Sequence, residues 1–217
     1  MIKPIASLLL LGAIALPASA HELWLERVGN GPVKVYLGEP DQGVIERGET
    51  IEALAPTTRI ISNGSVKNAP LTVQPDHLEA NVDGNADVRV VNDQVWKPWE
   101  NDKGERTAAL MHARWGRADT KAEMDLELVP VKADSDRFTL MFKGKPLANN
   151  EVMLITPENQ AQPLETDEQG VVDLAIEGAG RYILAAGYET PADGRTVAGQ
   201  NVDRLYHGTT TSFAVQQ

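Results

Sequence analysis

GKPLANNEVMLITPENQAQPLETDEQGVVDLAIEGAGRYILAAGYE, residues 144–189, alternates short apolar runs with turn-forming residues. Gly144 and Pro146 set a turn, since glycine accepts backbone angles closed to other residues and proline fixes its own. Val152 and Leu154, with Thr156 continuing the alternation, share one face of a strand predicted over Glu151–Thr156. Asp167 and Gly170 make a tight reversal inside the loop Thr166–Gly170. A strand follows over Val171–Ile176, and Gly180 releases Tyr182 into another over Arg181–Ala186.

The flanking sequence keeps this pattern. Met124–Pro130, MDLELVP, places Met124, Leu126 and Leu128 on one face, Phe138–Phe142 comes next, and Tyr206–Val215 is the last strand. Six short strands within about ninety-five residues is the density of a β-sandwich. Toward the N-terminus, Val33–Leu37 stops at Gly38-Glu39-Pro40, and Thr58–Ile61 precedes the turn pair Asn63-Gly64. Leu71–Val73 is a short strand, Asp87–Asn92 alternates, and Thr107–Trp115 lines Ala109, Met111, Ala113 and Trp115 on one face. Helix signals are scarce. The expectation is an all-β protein of two sandwich-like units, an N-terminal β domain over 21–121 and an immunoglobulin- or transthyretin-like sandwich over 122–217. Strands shared between sheets would soften that division. Lys97–Glu105 and Thr190–Asn201 read as loops, the second long for a hairpin.

Residues 1–20, MIKPIASLLLLGAIALPASA, have the form of a secretory signal peptide: Lys3, an apolar run from Leu8 to Leu16, and the small residues Ala18-Ser19-Ala20. Cleavage after Ala20 makes His21 the first residue. The apolar run is too short for a membrane span, and no later segment approaches the length. With no lipidation cysteine, the expected location is the periplasm. The chain has no cysteine at all, which excludes thiolate catalysis, iron–sulfur clusters and cysteine-type structural zinc. Its net charge of −11 argues against nucleic acid and is compatible with attracting cations.

Four histidines, His21, His77, His112 and His207, limit where a transition metal can bind. A free α-amine and an imidazole on His21 can close a chelate ring, and imidazole suits zinc, copper and nickel. His112 lies opposite the Met111 face, beside Leu110 and Arg114, as a polar-face histidine whose neighbouring arginine opposes a cation. His207 shares parity with Leu205, Phe213 and Val215 unless Gly208 introduces a bulge. The metal ligands expected are His21, His112 and His207. His77, in Pro75-Asp76-His77-Leu78-Glu79, reads as a surface-loop residue. Asn81–Asp87 superficially suggests a calcium loop but lacks the distal glutamate, and a β-turn fits better. Trp96 and Trp99 either engage a partner or pin their loop. There is no nucleophile elbow, no H-E-x-x-H and no phosphate loop, and an enzyme is not expected.

The 144–189 segment resembles sandwich modules similar to transthyretin and to the regulatory domains of carboxypeptidases. The chain as a whole resembles a periplasmic family of nickel- or cobalt-uptake accessory proteins, otherwise a domain of unknown function. The resemblance rests on His21-Glu22-Leu23-Trp24-Leu25, on Met124–Pro130, and on Leu205-Tyr206-His207 with Thr211-Ser212-Phe213. It implies a protein that binds nickel, cobalt or copper and passes the ion to an inner- or outer-membrane transporter. Two other readings stand beside it: a metal-free structural or adhesion module that binds protein or carbohydrate, and a copper enzyme acting oxidatively on a polymer.

Overall fold

The last strand organises the molecule through its run of hydroxyl side chains. The computed structural model describes residues 21–216 apart from 63 and 68. The expected leader, residues 1–20, and Asn63 of the expected turn therefore lie outside the described residues. Strand β20 (Arg204–Val215) lies in the middle of a central sheet. It pairs antiparallel with β17 (Gly180–Pro191) and parallel with β10 (Arg106–Trp115). Beyond β17 come β14 (Glu151–Ile155) and the edge strand β15 (Ala161–Glu165). Beyond β10 come β8 (Val88–Asn92), β4 (Arg59–Ser62) and β5 (Ser65–Lys67), while β9 (Trp99–Glu100) pairs with the start of β10.

Successive side chains of a strand point to opposite faces, and β20 uses both. Thr210 and Ser212 donate hydrogen bonds to the carbonyls of Leu23 (2.7 Å) and Leu25 (2.5 Å) in β1 (Glu22–Glu26). Thr211, between them, donates to the Leu128 carbonyl (2.9 Å) in β11 (Leu126–Pro130). One outer sheet thus covers each face. The first comprises β1, β2 (Val33–Glu39), β3 (Val44–Ile45), β6 (Leu71–Val73) and β7 (Leu78–Ala80). The second comprises β11, β12 (Arg137–Phe142), β13 (Lys145–Pro146) and β16 (Val171–Asp173). A small hairpin, β18 (Thr196–Val197) with β19 (Gln200–Asn201), stands where a loop was expected.

The fold is all-β, as the alternation implies. Among the described residues, the two largest apolar clusters lie between the layers. Leu23, Leu25, Val35, Leu37, Val90, Met111 and their neighbours form the first, closed by Ile51 and Leu54 of the helix α1 (Glu49–Leu54). Leu126, Leu128, Phe138, Leu154, Leu184 and Phe213 lie in the second. The central sheet runs past both clusters without a break through β10 and β20.

An ion cluster ties β8 and β10 of the central sheet to β11. Arg89 and Arg114, on β8 and β10, are buried, and both donate to Oε1 of buried Glu127 on β11, at 2.7 and 2.9 Å. Oε2 of Glu127 accepts the backbone N–H groups of Glu123 (2.7 Å) and Met124 (3.1 Å). Asp87 takes Arg114 at 2.5 Å and Asp119 takes Arg89 at 2.9 Å. This pairing holds residues 116–125 against the central sheet and positions Glu123, Met124 and Asp125.

Candidate functional site

The strand alternation separates the three expected ligands. His21 precedes β1, on the face of the central sheet covered by β1. His207 has the parity of Thr211, and His112 that of Arg114, whose partner Glu127 is on β11. Both rings therefore lie on the opposite face. A single site built from His21, His112 and His207 does not form, because the central sheet stands between them. Among the described residues, no three His, Asp or Glu side chains stand together in a way that could hold a metal ion.

His21 nonetheless has an ordered polar setting. Its Nε2–H donates to Oε1 of Glu46 at 2.6 Å, and Nδ1 lies 3.6 Å from Oε1 of Glu39. Glu39 ends β2 and Glu46 follows β3. The tight connection between these strands, with Gly43 at φ +68°, brings the two carboxylates to one end of β1. Close by, burial and then the charge of Asp41 push Glu22 up to about 8.

His112 and His207 do come together. Their rings lie 6.0 Å apart between centroids and within 13° of parallel. Nδ1–H of His112 donates to the Gly208 carbonyl at 3.0 Å. Nε2 of His207 lies 3.3 Å from Oγ1 of Thr190, and its Nδ1 is buried without a partner. Burial, and after it the charge of His112, push His207 down to about 4; burial also lowers His112. Both rings are neutral near pH 7. His112 opens onto a cleft of about 200 Å³ also lined by Arg59, Asp93, Met124, Asp125 and Arg195.

Several details depart from expectation. His112, expected on a polar face, is buried and hydrogen-bonded to the Gly208 carbonyl. Arg114 does not oppose a cation with free charge, because Glu127 and Asp87 take its guanidinium. No bulge occurs at Gly208, whose register runs unbroken. A Cβ there would stand 2.8 Å from the tip of the Met111 side chain, so the missing side chain leaves room for Met111. His77 is buried, not a surface-loop residue. Asp76 and Glu79 hold its two nitrogens at 2.6 and 3.1 Å, and its ring lies on Tyr36. Asp87 of the suspected calcium loop is spent on Arg114 and on the backbone N–H groups of Ala118 and Asp119. Trp96 packs on the first core, whereas Trp99 on β9 is exposed.

Sequence reading missed Glu39 and Glu46 as partners of His21. Their acid type was visible, but only the β2–β3 connection brings them to the histidine.

Residues 18–190 match a family described as Domain of unknown function (DUF4198). The chain belongs to this family. The description of DUF4198 names no activity, metal or transporter. No curated protein matches. A solved structure, "Bacteroides ovatus mixed-linkage glucan utilization locus (MLGUL) SGBP-B in complex with mixed-linkage heptasaccharide", is similar at 10% identity and a TM-score of 0.19. The match covers 88% of this DUF4198 chain and 46% of that one, so the chain spans about half the neighbour's length. Among the described residues, no helix of this DUF4198 chain is long and apolar enough to cross a membrane.

Proposed function

We propose that this is an exported, periplasmic transition-metal-binding protein, accessory to nickel, cobalt or copper uptake, with the amino terminus at His21 as its metal-binding end. The observation that carries this reading is the His21–Glu46 hydrogen bond. A metal-bound histidine commonly donates its second ring nitrogen to a carboxylate, which fixes tautomer and orientation. Glu46 holds Nε2 in that way at 2.6 Å. Nδ1 is left with its lone pair, and this is the ring nitrogen that can share a chelate ring with the α-amine of the same residue.

Processing after Ala20 supplies that amine. Amine, Nδ1 and the Glu39 carboxylate, 3.6 Å from Nδ1, then make a mixed nitrogen–oxygen donor set. Such donors suit nickel, cobalt and copper, and affinity order alone favours copper. The His21 side chain is 36% exposed, so an ion held there is within reach of a transporter.

Calorimetric titration with Ni²⁺, Co²⁺ and Cu²⁺ tests the reading, using the exported chain beginning at His21 and the same chain with one alanine added before it. The added residue moves the amine out of the chelate and should weaken binding sharply. Equal affinity in the two forms removes His21 from the mechanism.

A further inference from the structure

The structure assigns a separate metal-binding place to the buried His112–His207 pair, for a single soft monovalent cation of the copper(I) class. This site shares no residue with the one proposed at His21 and does not depend on processing.

Two independent strands bring the rings together. In the parallel pairing of β10 and β20, Leu110 faces His207 and His112 faces Thr209. Imidazole nitrogen binds metals at about 2.0–2.1 Å, so two rings sharing one ion in line hold their centroids about 6 Å apart. These stand 6.0 Å apart and nearly parallel. Nδ1–H of His112 is committed to Gly208, which leaves Nε2 as its lone-pair nitrogen. His207 Nδ1 is buried and unpartnered, as is the hydroxyl of Thr209 beside His112. Buried polar atoms are nearly always satisfied, and orphans gathered at one place call for an occupant.

The surroundings select the ion. Lys143 and Arg195 bring positive charge toward His207, and Asp125 brings negative charge toward both rings. Glu127 also faces His112 electrostatically, but its carboxylate is engaged by Arg89 and Arg114. A singly charged ion costs less there than a doubly charged one. No third imidazole or carboxylate closes a shell among the described residues, which favours an ion content with two nitrogen donors. Met124 is among the residues lining the cleft that reaches His112, and methionine is a soft donor suited to copper(I).

Silver(I) is the redox-inert probe. The full exported chain, labelled with ¹⁵N, is titrated with silver nitrate while long-range ¹H–¹⁵N correlation follows the histidine ring nitrogens. His112 Nε2 and His207 Nδ1 should move together and saturate at one equivalent. His207→Gln should lower silver affinity by more than the roughly 10–100-fold that loss of an outer-shell partner costs. The spectrum of the native chain decides the matter even if that variant folds poorly. If neither ring moves, only one moves, or only His21 moves, the site is overturned. Movement of His21 alone would leave the terminal reading intact.

Discussion

Replacing Glu127 with glutamine should cost this protein a large part of its stability. The native carboxylate accepts four hydrogen bonds, two guanidinium N–H groups on Oε1 and two backbone N–H groups on Oε2. Glutamine offers one accepting oxygen and one donating NH₂. Whichever way the amide is turned, its NH₂ meets two donors, and that pair is stranded. Each buried donor left unsatisfied costs about 1–3 kcal/mol, or about 2–6 kcal/mol for two. Breaking a buried ion pair by removing one partner costs about 3–5 kcal/mol, which agrees. Domains of this kind have about 5–15 kcal/mol in total. Equilibrium urea unfolding followed by tryptophan fluorescence measures the difference, with circular dichroism as a check that the variant is folded. A loss below about 1 kcal/mol in a folded variant would refute the reasoning, because the cluster would then be dispensable.

Other expectations follow from single contacts. Glu46→Gln should weaken nickel or copper binding to the exported chain by about 10–100-fold in a competition titration; unchanged affinity would mean that Glu46 does not orient His21. Gly116→Ala should destabilise by about 1–3 kcal/mol or more in urea unfolding, since its Cβ would stand 2.2 Å from Oδ1 of Asp87 at a backbone φ of +104°. An unaltered midpoint would show that Asp87 can move. His207, held down to about 4 from 6.5 by burial and then by His112, keeps the folded state neutral while the unfolded chain takes up a proton. Its contribution is therefore full above about pH 6.5 and lost as pH falls toward 4, on the order of 3 kcal/mol across that window. Unfolding curves from pH 7 to 4.5 should show this slope, and His207→Gln should flatten it. Equal slopes in the two proteins would rule His207 out as its source.

Local pattern made the strands legible and left their partners hidden. The alternation over Thr107–Trp115 and Tyr206–Val215 located β10 and β20 within a residue or two and set the parity of His207 correctly. Nothing local says that these two strands pair in parallel, because Leu110 and His207 meet only after the intervening chain has folded. That pairing places β10 and β20 side by side in the central sheet, and it puts His21 on the other side from the histidine pair. Pro163 hid β15 as well. The strand tolerates proline because it lies at the sheet edge, bonded on one side to β14. The helix α1 is only six residues long, too short for a clear helical period. Arg89, Arg114 and Glu127 resemble solvated charges in sequence and become buried only because each supplies the other's counter-charge. At His21 the chemistry of the terminus was readable, whereas the carboxylate that orients the ring was not.

The most direct measurement is a crystal structure of the exported chain soaked with nickel or copper, with the metal located by its anomalous scattering. The account predicts a peak about 2.0–2.2 Å from both the α-amine and Nδ1 of His21, with Nε2 still on Glu46. A chain that begins elsewhere than His21, or a metal-loaded chain whose only peak lies away from that residue, would contradict it.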